Sequence, residues 1–346
     1  MGNLASYSAL TTKVRAMSTN FITEDQYRTL LSQPNIDSAL DYLKTTKGYR
    51  DVLNDLPAEQ RHRVNLFHYL SRVTYEDFAS IYHFSNQDQR KFLRAYGRRY
   101  EVMLIKRRMN ALFSGDEPEA SQLINKAFFD HYTDLDVNAL FHADSISGVL
   151  NVLKDTPYQK VLPAIAKNPN ATLFEYETAL DQFYFASVWR SCGLMKDKKS
   201  VRIIKEAFGS RFDLLNISWL SRIHRNYQMN RAEIYATLIP VTYHISDEEL
   251  DALVNAPDDE SFRSILNATY YGRSRRLKLN EETVVDYNGL MKNILDILSR
   301  KSPYSIATPY RYLYTKDHEV SKLLTALECV HYHPPLNEAL DIIKRM

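Results

Sequence analysis

A capped apolar segment occurs three times in this chain and narrows its possible folds to an array of helices. Residues Thr23–Leu43, Thr133–Leu153 and Ser246–Leu266 align without a gap. Each opens on a hydroxyl residue followed by an acid: Thr23-Glu24, Thr133-Asp134 and Ser246-Asp247. Three positions after the hydroxyl stands an amide or a carboxylate, at Gln26, Asp136 and Glu249. A hydroxyl that accepts an orphan N–H, with such a partner three residues on, marks a helix N-terminus, where acids also suit the positive end of the dipole. Apolar residues then recur at Tyr27, Leu30 and Leu31, at Val137, Leu140 and Phe141, and at Leu250, Leu253 and Val254. A second cap follows at Asn35, Ser145 and Asp258. The second helix ends on Leu43, Leu153 and Leu266, with a threonine three residues later (Thr46, Thr156, Thr269) and then a tyrosine (Tyr49, Tyr158, Tyr271). The unit is a capped helical hairpin with a Thr–Tyr terminus.

A later signature recurs as well. Arg99-Tyr100-Glu101-Val102 matches Arg211-Phe212-Asp213-Leu214, with a looser third copy at His318-Glu319-Val320. The acid follows the repeat threonine by 55, 57 and 50 residues. Each copy therefore spans about 110 residues, too long for one solenoid repeat. Three homologous helical domains are expected, over residues 1–117, 118–233 and 234–346. The boundaries fall near Gly115-Asp116-Glu117-Pro118 and within Met229 to Pro240, while Asn168-Pro169-Asn170 and Lys301-Ser302-Pro303 read as turns inside copies. Around the acids the helices are long and amphipathic. Leu93, Tyr96, Tyr100, Met103 and Leu104 fall at helical spacing, as do Phe208, Phe212, Leu215, Trp219 and Ile223. Sustained alternation is absent, so the fold class is all-α. Nine glycines in 346 residues is well under the usual ~7% and leaves little room for hairpin turns or phosphate-cradling loops.

The chemistry-bearing patterns are few. The sequence contains no GxxxxGK loop, HExxH, GxSxG or CxxC. His331 and His333 could face one metal ion, but no third ligand stands at a suitable spacing, and the pair also reads as a helix end before Pro334-Pro335. The two cysteines, Cys192 and Cys329, make no disulfide framework. No apolar run approaches the ~20 residues that span a bilayer. With 44 basic and 42 acidic residues the net charge is +2, which gives no reason to expect nucleic acid. Charge is concentrated locally in Arg90, Lys91, Arg94, Arg98, Arg99, Lys106, Arg107 and Arg108. This stripe fits an acidic protein partner or a solvated helix face. In the first case Arg94, Arg98 and Arg99 lie near the partner, with Tyr96 or Tyr100 packed beneath. The acids Glu101, Asp213 and Glu319 are equivalent by repetition, which argues for a structural role, pairing with helix ends or neighbouring arginines.

In their order and triplication these motifs resemble the C subunit of prokaryotic V-type (A/V-type) ATPases. The resemblance rests on Tyr7 to Met17 with its Arg15-Ala16 pair, the Ile36-Asp37 hairpin running to Tyr49, Arg99-Tyr100-Glu101, Arg211 to Ile217, Tyr310 to Lys316 with Glu319-Val320 and Leu327, and His333-Pro334-Pro335 before a last helix. Leu104 and Lys322 depart from it, standing where the middle copy has Asn216. The glycine-rich start of the eukaryotic homologue, the d subunit, is absent. The resemblance implies a pseudo-threefold helical funnel on the cytoplasmic face of a membrane ring of proteolipid subunits. It implies that the funnel receives the tip of a central stalk made of subunits D and F, in a complex for rotary ion transport. No catalytic residue, cofactor or metal is expected on this reading. A helical protein-interaction scaffold outside any ATPase is the other reading of the same repeats.

Overall fold

The computed structural model describes residues 2–57, 61, 63–115, 125–226, 229–273 and 287–346. Among these the fold is all-α, without strands. The first stretch carries α1 (Gly2–Ser18), α2 (Glu24–Leu31), α3 (Ile36–Leu43), α4 (Arg50–Asn54), α5 (Arg63–His83) and α6 (Gln87–Ser114). The second carries α7 (Lys126–Tyr132), α8 (Val137–His142), α9 (Ile146–Val152), α10 (Leu162–Ile165), α11 (Leu173–Ser191) and α12 (Lys198–Asn226). The third carries α13 (Arg231–Thr237), α14 (Asp247–Val254), α15 (Asp259–Ala268), α16 (Tyr270–Arg273), α17 (Tyr287–Lys301) and α18 (Ala307–Tyr332), followed by α19 (Leu336–Arg345). Each stretch thus runs in the same order: a lead helix, the two-helix hairpin, a short helix, a medium helix and a long one. The expected boundary at 117/118 lies outside the described residues, and 233/234 lies within α13.

The caps follow the sequence closely in two copies. Thr23 and Ser246 close capping boxes with Gln26 and Glu249. Asn35, Ser145 and Asp258 each accept the N–H three residues on. The middle copy departs at its first helix. Thr133 ends α7, its Oγ1 donating to the Phe129 carbonyl, and Asp136 caps α8 by accepting from Ala139 N. The reason is local competition: a lead helix reaches Tyr132 here, so the hydroxyl serves an orphan carbonyl behind it, and the amide it accepts from ahead is that of Leu135, at 3.2 Å and before α8 begins. At the far end of α6, Gly115 takes φ 72°, the left-handed conformation that releases a helix. His333 does the same for α18 at φ 53°, its N–H donating to the Cys329 carbonyl at 2.9 Å.

The copies are not packed separately. Medium helix α11 lies on α6, α17 on α12, and α5 on α18, so each rests on the long helix of the preceding copy and the contacts close a cycle. One consequence is that the two ends of the chain share a hydrophobic core. Leu30, Leu40, Leu43 and Leu53 of the first copy are buried against Val320, Leu323, Leu327 and Val330 of α18. Burial of a Leu or Val side chain contributes about 1.5–3 kcal/mol, so this seam is held chiefly by apolar contact.

Candidate functional site

The repeated tyrosine and the repeated acid meet, but across copies. Tyr158 Oη donates to Glu101 Oε2 at 2.8 Å, Tyr271 Oη to Asp213 Oδ2 at 2.9 Å, and Tyr49 Oη to Glu319 Oε1 at 2.7 Å. Each hairpin therefore docks on the acid of the copy before it, and the first docks on the third. Just upstream, Thr46, Thr156 and Thr269 each donate to the last leucine carbonyl of the hairpin, at 2.6, 2.7 and 2.7 Å. The same carbonyls also accept the threonines' backbone N–H groups, so each helix end closes on a threonine bonded twice to one carbonyl, just before the tyrosine. Burial holds all three phenols far above the ordinary tyrosine value, so they stay protonated and donate. The acids were expected to pair with helix ends or arginines. Their partners are mostly tyrosine hydroxyls and the backbone N–H groups that lead into the hairpins.

The three seams differ in how well the carboxylate is satisfied. Asp213 accepts from Tyr243 N, His244 N and Ile245 N as well as Tyr271. Glu319 accepts from Ile22 N at 2.6 Å and from Lys316 Nζ at 2.7 Å as well as Tyr49. Lys316 and Glu319 are 1% and 6% exposed, a buried ion pair whose ammonium also lies over the Phe21 and Tyr49 rings. Glu101 has Tyr158 as its one hydrogen-bond donor among the described residues. Burial pushes its carboxyl up to about 7; Tyr158 and Arg98 oppose the rise and Asp134 adds to it. In the middle copy Asn216 also holds the approach to the next hairpin, its amide exchanging two hydrogen bonds with the Ile239 backbone. Leu104 cannot make that bond; in its place Arg108, one turn on, donates through Nε and Nη2 to the Ala143 carbonyl.

Between the long helices and α5 and α11 lies an open cavity of about 620 Å³. The positions two residues before the three acids are Arg99, Arg211 and Asp317, and all three line it. Arg99 pairs with Asp317 across copies, and Tyr96 Oη donates to the same carboxylate oxygen at 2.9 Å. Lys106 pairs with Asp181 at 2.6 Å. Arg211 lies over the Phe185 and Phe208 rings. Below Arg99, Phe92, Tyr96, Phe208 and Tyr310 form a fully buried aromatic cluster, with Phe208 and Tyr310 stacked at 4.9 Å. His318 stands where the first copy has Tyr100. Burial, with Arg99 and Arg211 nearby, lowers its imidazole to about 4, so it is neutral at physiological pH.

The five sequence-predicted residues are divided by this geometry. Arg99 and Tyr100 line the cavity and Tyr96 is buried behind them, with the Arg99 guanidinium over both rings. Arg98 is half-buried over Phe183 on another side of α6. Arg94 is exposed and donates to Tyr82 Oη at 2.8 Å. The sequence reading missed Asp317, because the charge at that position reverses in the third copy; the fixed offset from the repeated acid is the signal that finds it. His331 and His333 end α18, and no group of three or more metal-ligating side chains occurs among the described residues.

Comparison with known proteins finds similarity over nearly the whole length of the chain. The family model described as ATP synthase (C/AC39) subunit matches residues 10–338. The chain is 23% identical over 329 residues to the C subunit of the A-type ATP synthase of Methanococcoides burtonii, covering 93% of this chain and 89% of that one. It is 24% identical over 332 residues to that of Methanobrevibacter smithii (92% and 82%), and 26% identical over 292 residues to that of Thermococcus onnurineus (77% and 78%).

Proposed function

The chain belongs to the ATP synthase (C/AC39) subunit family, and from that premise we propose that it is the non-catalytic rotor adaptor of a V/A-type ATPase. It is a subunit of the rotary machine, not one of its nucleotide-processing parts. In this reading the three units, 1–117, 118–233 and 234–346, stand around a pseudo-threefold axis as a funnel. The funnel receives the tip of the central stalk, subunits D and F, and rests on the membrane proteolipid ring at the cytoplasmic face. Arg99, with Tyr96 and Tyr100 beneath it, then lies at the stalk contact, and Arg94 and Arg98 lie on the outer faces of the same helix.

The observation that carries the proposal is the closed cycle of tyrosine–carboxylate seams, with a charged cavity between its long helices. A torque adaptor has to resist shear between its parts. Docking each hairpin on the neighbouring long helix spreads load around the ring instead of leaving one free edge. No helix among the described residues is long and apolar enough to cross a membrane, so attachment to the rotor runs through contact surfaces. The test is a pull-down of the tagged full chain with the purified D–F stalk complex and with the detergent-solubilised proteolipid ring, each at micromolar concentration. Retention of both supports the adaptor; retention of neither, with other proteins gathered instead, makes the chain a scaffold outside the ATPase. The purified chain is expected to show no ATP turnover of its own.

A further inference from the structure

One end of the cycle is closed by α1. Its Ser6 carbonyl accepts from Gln89 Nε2 at the start of α6, Tyr7 Oη bonds Ser200 Oγ (2.7 Å) at the start of α12, and Thr11 Oγ1 donates to the Pro303 carbonyl just before α18. The first helix therefore bridges the N-terminal ends of all three long helices. Around it three large apolar side chains stand in solvent: Leu4 at 54%, Phe84 at 45% and Leu194 at 65% exposure. They occupy separate loops or ends, not one groove. Beside Leu194, Lys196, Lys198 and Lys199 are exposed. Lys13 reaches over the Phe84 ring. Further along α1, a cavity of about 580 Å³ is lined by Arg15, Arg300 and Arg311, with Asp296 as its one carboxylate, and that carboxylate is already paired with Arg311.

Lys198 and Lys199 open a helix of 29 residues, where the dipole favours anions and disfavours cations. The same helix start carries two carboxylates that answer its free N–H groups: Asp197 accepts from Lys199 N, and Asp88 from Lys196 N and Asp197 N, so the lysine ammonium groups stay in solvent beyond them. Exposed cations beside isolated apolar tips match what an anionic lipid surface requires: apolar side chains to enter the headgroup region and basic ones to meet phosphates. Guanidinium forks such as those of Arg15 and Arg300 suit phosphate oxygens in particular. A rigid protein partner would instead call for a continuous complementary surface.

We propose that this α1 face binds anionic phospholipid headgroups directly, through Lys196, Lys198, Lys199, Arg15 and Arg300, with Leu4, Phe84 and Leu194 dipping into the interface. The inference rests on the adaptor reading only in placing the face toward a membrane, and its test needs no other subunit. The full chain is floated with phosphatidylcholine vesicles, with and without phosphatidylglycerol, at low and high salt. Wild type should bind the anionic vesicles and release them as salt rises. The triple variant Lys196→Gln/Lys198→Gln/Lys199→Gln should bind ~100-fold more weakly at low salt, while its melting temperature holds because the three side chains are exposed and the caps at Asp197 and Asp88 remain. Leu194→Ser should weaken binding several-fold. Absence of wild-type binding to anionic vesicles overturns the proposal. So does retention of the ring in detergent that is lost in the same triple variant while vesicles are ignored, which would give the face to protein and leave the adaptor intact.

Discussion

Glu101 offers the sharpest test of how the seams are built. Its carboxyl is buried, takes one hydrogen bond from Tyr158 and is pushed up to about 7 by burial. In the unfolded chain a glutamate titrates near 4.5. Between those values the folded protein holds a proton that the unfolded chain has released. Stability from this group is therefore complete below about 4.5, is lost as pH rises to about 7, and stays lost above. The interval corresponds to roughly 3 kcal/mol. Glu101→Gln keeps an oxygen that can accept from Tyr158 but cannot ionise. Whatever the variant does to absolute stability, the difference between variant and wild type should move by roughly 3 kcal/mol in the variant's favour from pH 4.5 to pH 8. Urea unfolding of both proteins across that range, followed by far-ultraviolet circular dichroism, measures it. A difference that is flat with pH, or that moves the other way, would refute both the burial argument and the weakness assigned to this seam.

Three further outcomes follow from other parts of the cycle. Glu319→Gln leaves Lys316 buried beside a neutral amide and should cost about 3–5 kcal/mol, seen as a lowered urea midpoint; an unchanged midpoint would remove the ion pair from the ring-closing seam. Thr23→Ala and Ser246→Ala should each cost about 0.5–2 kcal/mol as lost caps, whereas in the middle copy the comparable loss should come from Asp136→Ala; equal midpoints for Asp136→Ala and wild type would reject that assignment. Gly209→Ala would place a methyl 2.3 Å from Tyr243 Cγ, displacing the residue whose N–H bonds Asp213, and should cost about 1–3 kcal/mol; thermal melting at wild-type temperature would show that the seam can yield freely.

The sequence by itself determined the elements. Caps such as Asn35 and Asp258 act on an amide three residues away, and the Leu-x-x-Thr terminus closes on its own helix, so both are legible without knowing the rest of the chain. Even the one miss, Thr133 serving α7 while Asp136 caps α8, is a contest between neighbours a few residues apart. The sequence also displayed both halves of each seam, the repeated tyrosine and the repeated acid. Only the tertiary structure decided that they belong to different copies, because a hydrogen bond between Tyr49 and Glu319 spans the chain from end to end and leaves no mark at short spacing. The same holds for the burial of Lys316, whose hydrophilic character predicts solvent until its carboxylate partner and two aromatic rings are in place. It holds for Arg99 as well: within its helix it reads as one of a basic stripe, and its facing Asp317 across the cavity depends on how three long helices converge. Local rules set where each helix begins and ends; which faces meet was set by burial of apolar surface between segments far apart in the chain, a balance that no short stretch of sequence contains.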